Sequence, residues 1–275
     1  MKKILSDFLV IILAMTSVIG ILVTTSATIT FAYGYNGSTY EGSGTEKISY
    51  FTKTDNEEFI NGALPQYYNS GNYTNTCANV AGAIILGYYD KDLTDLIPDF
   101  TSARIIRDKI LYFAQTPAVQ KVIDDLYYKM KTNSTGNGTT VKQFKTGLEQ
   151  YVNEKQQNVT YSPIVQNEQI DIDAYTTAIK QELPVVLFVS KYTMIPISDL
   201  KEDNTTDIYN ESYYGGDHVL IGYGLRRINY YNADGSLKKE VVLLRAATGY
   251  NQDPLVYIEL DERIRVIDGY KIKIY

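Results

Sequence analysis

The 275-residue sequence has no tryptophan, one cysteine and one histidine. A single cysteine excludes an internal disulfide, so stability has to come from a packed core. One Cys with one His cannot furnish a zinc cage of Cys and His ligands. No run of Lys or Arg offers a footprint for nucleic acid, and the net charge is −6. There is no phosphate-cradling glycine loop, dinucleotide fingerprint or metal-binding helix motif, so no cofactor is expected. Against these gaps stand 26 tyrosines, read as compositional bias or as a tyrosine-rich binding surface. A hydrophobic share of 44% and a charged share of 21% are ordinary for a globular protein.

Lys2 and Lys3 precede an apolar run from Phe8 to Val23, and small residues follow up to Phe31-Ala32. With Thr30 and Ala32 at the small-residue positions, residues 1–32 read as a signal peptide cleaved after Ala32. The expected product is secreted or held at the cell surface, and it touches a membrane only if that segment stays uncleaved. Residues 33–64 read as a polar, extended N-terminal arm with a short helix around Asn56–Asn61. Residues 65–275 have the length of one domain.

Within that domain the period of the apolar residues changes. Val80, Ala81, Ile84, Ile85 and Tyr88 repeat at helical spacing behind Asn75 and Thr76, both N-cap residue types. A second helix is expected from Thr101 or Ser102 with Ile105, Ile106, Ile110 and Phe113 on one face. A third starts at Pro117, and a fourth at Thr140 with Gln143 in a capping-box pattern. After a short helix over Asp173–Glu182 come a strand at Val185–Val189, a polar loop from Lys191 to Tyr214, and a strand opened by His218. A hairpin around Asn232–Gly235 and strands at Val256–Leu260 and Ile264–Tyr275 complete the chain. The expected fold class is α+β: an N-terminal helical half, with the Cys-bearing helix at its centre, packed on a C-terminal antiparallel β-sheet.

Cys77 falls in the first turn of an apolar helix, where free N–H groups and the positive dipole end favour a thiolate. His218 follows Gly215-Gly216, and glycines there let a substrate backbone pass close to the imidazole. A thiol becomes a useful nucleophile when paired with histidine, and here the fold would have to bring the two together.

Taken in order, the motifs resemble the papain-like cysteine peptidases. They are closest to the bacterial branch related to bacteriocin-leader (double-glycine) peptidases. The resemblance is carried by Cys77-Ala78-Asn79-Val80-Ala81-Gly82-Ala83-Ile84-Ile85-Leu86-Gly87-Tyr88-Tyr89 and by Gly216-Asp217-His218-Val219-Leu220-Ile221-Gly222-Tyr223-Gly224. Gly138-Thr139-Thr140 with Gly147-Leu148 and Tyr151, and Leu183-Pro184-Val185-Val186, add to it. It spans about residues 65 to 260 and implies a papain-like fold, a Cys77 nucleophile and a His218 base. The family's third position, an Asn or Asp orienting the histidine, is taken by Thr248, with Asn251 or Asp253 as substitutes. The family's Gln oxyanion donor is absent. Asn72 takes its place by spacing, among Gln66, Asn69, Asn72 and Asn75, and Ala78 stands where Gly is usual.

The resemblance implies an exported cysteine peptidase acting through an acyl-thioester on a peptide or protein substrate, as a monomer. Two alternatives stay open. One is a secreted binding protein whose site has degenerated. The other is a thiol transglutaminase or cell-wall amidase with the same chemistry and another acceptor or substrate.

Overall fold

The computed structural model describes residues 38–60, 64–93, 95–98 and 115–275, together with the backbone of 30–31, 104–106 and 109–112. The signal-peptide reading of residues 1–32 falls almost wholly outside the described residues. Among the described residues no helix is long and apolar enough to cross a membrane.

In chain order the strands and helices begin with β1 (Thr30–Phe31), β2 (Thr39–Ser49), β3 (Thr52–Phe59) and α1 (Cys77–Asp90). β4 (Arg104–Ile106), β5 (Lys109–Tyr112), α2 (Pro117–Lys129), β6 (Thr139–Thr140) and α3 (Val141–Glu154) follow. Then come β7 (Val159–Pro163), β8 (Val165–Gln166), β9 (Gln169–Ile170), α4 (Ile172–Lys180) and β10 (Val185–Pro196). β11 (Leu200–Glu202), β12 (Thr206–Tyr231), β13 (Leu237–Ala247), β14 (Leu255–Glu259) and β15 (Arg265–Ile274) complete the chain.

The expected helical half packed on a C-terminal sheet is overturned, and the papain-like fold class goes with it. Among the described residues strand accounts for 44% and helix for 24%, in four helices. A nine-stranded antiparallel sheet takes strands from both ends of the chain, including β2 and β3. The N-terminal arm is therefore part of the sheet, and the short helix expected near Asn56 is strand. Its sequence concealed this because β2 and β3 join by backbone bonds and bury few side chains, so there was little hydrophobic period to read. Ile105 pairs with Ile110 across β4 and β5 where a helix was expected, since β-branched residues suit a pleated surface. The proposed caps Thr101 and Ser102, and Phe113, lie outside the described residues.

β12 is the hub. β2 and β10 flank its first half, and β3 and β13 flank its second. Pairings run β10–β12–β13–β14 and return to β10 where Val256 and Tyr257 face Pro196 and Ile195, closing a ring. The link between β2 and β3 ties the two ends of β12 together: Tyr50 N–H donates to Thr205 O and Phe51 N–H to Tyr231 O, each at 2.9 Å. Tyr209, Ile228, Tyr230, Leu243 and Tyr257 form a small core of their own there. Asp207 is buried beside that core, paired with Lys53 at 2.7 Å and with Tyr230 Oη at 2.8 Å.

The larger core surrounds α1, all fourteen residues of which are buried. α1 packs on α2, α3 and β12, which places its N-terminus beside the middle of β12. The other helices begin as their sequences dictate. Thr116 caps α2 with Pro117 in its first turn, Thr140 and Gln143 close a capping box on α3, and Asp171 caps α4.

Candidate active site

Cys77 opens α1, but the expected caps do not act as caps. Thr76 occupies the N-cap position without a side-chain cap bond. Asn75 sits at φ +61°, and its amide donates to Asn133 Oδ1 at 2.8 Å. Asn133 also accepts from Gly138 N–H and donates to Tyr127 Oη, so the polar break after α2 braces the loop leading into Cys77. Because the Thr76 side chain leaves the first turn alone, the sulfur can meet N–H groups directly. The N–H groups of Ala78 and Val219 both favour its thiolate form.

Val219 is the residue after His218, so the thiol lies beside the histidine strand. Gly215 and Gly216 do not form a turn, and the span expected as a polar loop from Lys191 to Tyr214 is largely strand. His218 lies in the interior of the 26-residue β12, immediately after a β-bulge. Val189 faces His218 while Lys191 faces Gly215, so Gly216 and Asp217 together oppose Ser190. Gly216 takes φ +98°, a conformation open to a residue without Cβ. Bulges of this kind re-aim the next side chain, here the imidazole.

Thr248 holds that imidazole, but not through its hydroxyl. His218 Nε2 lies 2.8 Å from the Thr248 carbonyl oxygen. The Thr248 hydroxyl is engaged elsewhere, donating to Asp253 O at 2.9 Å and accepting from Tyr250 N–H at 3.0 Å. A carbonyl can only accept, so Nε2 carries the proton and the neutral ring keeps its lone pair on Nδ1. Tyr250 Oη lies 3.4 Å from Nδ1, off the plane of the stacked ring, and leaves that lone pair free to take a proton. The ring stacks with Tyr250, at 4.7 Å between centroids, and with Tyr192, at 5.5 Å, and the two tyrosine hydroxyls are 3.2 Å apart. Tyr192 was missed because it lay in the span taken as a loop. Its signal was the β-favouring run Tyr192-Thr193-Met194-Ile195 continuing from Val189. Ser38, at the start of the arm, bonds Tyr250 Oη as well.

Cys77, His218 and Asn72 line one cavity of about 350 Å³. Asn72 is exposed on its rim. Asn69 lines the same cavity but is held by Gly71, Tyr73 and Gln120, and Asn251 also reaches it. Gln66 and Asp253 do not line it.

Burial dominates the electrostatics. Loss of water pushes the Cys77 thiol up to about 12, against the pull of the nearby N–H groups. Burial likewise depresses His218 to about 4, partly offset by the Thr248 carbonyl. Both groups rest neutral at pH 7, so the pair is poised for proton transfer during attack instead of holding a standing thiolate.

A separate carboxylate cluster, Glu46, Glu211 and Glu259, has oxygens within 4.8 Å of one another. Lys239 bridges Glu46 and Glu259, and Arg263 bridges Glu211 and Glu259, so cations of the chain itself already serve these carboxylates. Burial and the neighbouring Glu211 raise Glu259 to about 7.

No protein-family profile matches the chain, and no curated protein matches its sequence.

Proposed function

We propose that the chain is an exported cysteine peptidase. Cys77 attacks a peptide carbonyl while His218 Nδ1 takes the thiol proton. The tetrahedral oxyanion is received by the Cys77 N–H and the Asn72 side chain. His218 returns the proton to the leaving amine, and water then hydrolyses the acyl-thioester. The observation that carries this reading is one cavity shared by the sole cysteine, at a helix N-terminus, and the sole histidine, with its tautomer set by the Thr248 carbonyl. The expected substrate is a peptide or protein, met outside the cell. Cys77→Ser and His218→Ala should each lower hydrolysis of an unbiased peptide library by at least about 10³-fold while leaving the fold intact. Full activity in Cys77→Ser would refute the assignment.

A second reading is favoured by the burial that keeps both groups neutral: a binding protein using the same cavity without turnover. It requires that Cys77→Ala leave ligand binding unchanged and that the wild-type protein cleave nothing in the library.

A further inference from the structure

We infer that the cavity beside Cys77 admits uncharged groups and rejects charged ones, so that the carbonyl presented to the thiol is flanked by a neutral side chain of the substrate. This rests on the peptidase reading and names its substrate class.

Among the described residues the lining contains no Asp, Glu, Lys or Arg, although 21% of the chain is charged. Its polar character comes from amides and hydroxyls, with Asn72 and Asn251 exposed at the rim. Its aromatic wall is Tyr68, Tyr73 and Tyr250. Tyr73 is braced by Tyr127, stacked at 4.3 Å, so the wall is built rather than loose. Two carboxylates act from behind the lining, Asp217 on the Cys77 sulfur and Asp124 on Tyr73, and Arg265 partly offsets Asp217. An anion entering the cavity loses water and finds no cation among the described lining residues to replace it. A cation finds no carboxylate within the cavity to replace its water. A neutral amide or aromatic group loses little and can use the rim amides or the tyrosine faces. The contrast lies across Tyr250, where a second cavity of about 210 Å³ is lined by Ser38, Met194 and Tyr214 and also by the carboxylate of Asp253.

Iodoacetamide and iodoacetate test this, because they match in size and differ only in amide against carboxylate. Their rates at Cys77 in the full chain are followed by mass spectrometry and divided by their rates with 2-mercaptoethanol. The normalised preference for iodoacetamide should be at least about tenfold, the low end of the cost of leaving a buried polar group unpaired. Asn251→Lys, which puts a cation on the rim, should bring the two rates together. In parallel, peptides differing only by Gln against Glu beside the scissile bond should be cleaved with the same preference. Equal normalised rates would overturn the inference, as would failure of iodoacetamide to react in the alkaline range, where the buried thiol begins to ionise, since a cavity that admits neutral side chains must admit this reagent. Alkylation needs no turnover. Charge selection with no cleavage would therefore defeat the peptidase reading alone, and cleavage without selection would defeat this inference alone.

Discussion

Protonation of His218 separates a neutral catalytic pair from a preformed ion pair. Its folded pKa of about 4 lies below the ordinary 6.5 because the ring is buried, packed against Tyr250 and Tyr192. The unfolded chain binds the extra proton between those values, so stability is full above pH 6.5, falls as the pH drops toward 4, and then levels off. The difference of 2.5 pH units corresponds to about 3 kcal/mol at most. Glu259 acts in the opposite sense: raised from 4.5 to about 7, it contributes stability below pH 4.5 that is lost as the pH rises through 7. Urea titrations of wild type and His218→Gln, subtracted at each pH, cancel Glu259 and leave the histidine. Because there is only one histidine, its Cε1–H proton resonance gives the folded midpoint directly. A midpoint near 4, unmoved in Cys77→Ser, is the expected result. A midpoint at or above 6.5 that collapses in Cys77→Ser would mean that a thiolate stabilises the imidazolium, and the neutral-pair argument would be wrong.

Three further outcomes follow from particular contacts. Thr248→Val should cost about 1–2 kcal/mol in urea denaturation, since two hydroxyl bonds are lost, yet keep kcat/KM within about tenfold because the orienting carbonyl survives. A hundredfold kinetic loss with an unchanged histidine midpoint would return the orienting role to the side chain. Gly147→Ala should destabilise by about 1–3 kcal/mol in thermal or urea unfolding, because a Cβ there meets Met130 N at 2.6 Å and Cα at 2.7 Å, backbone atoms that cannot swing aside. Asp207→Asn should cost about 3 kcal/mol in the same assay, since it leaves Lys53 without its closest partner, and the site should be untouched in the folded fraction.

The parts of this structure visible in the sequence were those with a local cause. Pro117, the Thr140–Gln143 pair and the Asn232–Gly235 turn placed their elements because capping and turn chemistry act over a few residues. Cys77 at a helix start was visible for the same reason. β2, β3 and the long course of β12 were not. β2 and β3 are mostly exposed and polar and are held by pairing with β12 more than a hundred residues away, and the first half of β12, residues 206–217, is rich in polar residues. The site divides in the same way. Residue type and order pointed to Cys77 and His218, and spacing brought Asn72 to the cavity. The hand-over from the Thr248 hydroxyl to its carbonyl depends on where β13 ends, and a side-chain alphabet cannot show a backbone acceptor.

That hand-over bears on the chemistry. An orienting carboxylate would both fix the tautomer and stabilise an imidazolium, holding the histidine pKa up and favouring a standing thiolate. A carbonyl dipole fixes the tautomer equally well, because it too accepts only from Nε2–H, but it brings no full charge. Burial against Tyr192 and Tyr250 then removes the water that could have compensated. Threonine at position 248 is therefore consistent with a histidine that serves as a neutral base and acquires charge only as the thiol attacks. In that scheme the Ala78 and Val219 N–H groups matter most as the proton passes to His218 and negative charge develops on the sulfur, and least at rest. Reactivity of Cys77 should consequently rise with pH through the alkaline range instead of reaching a plateau in acid.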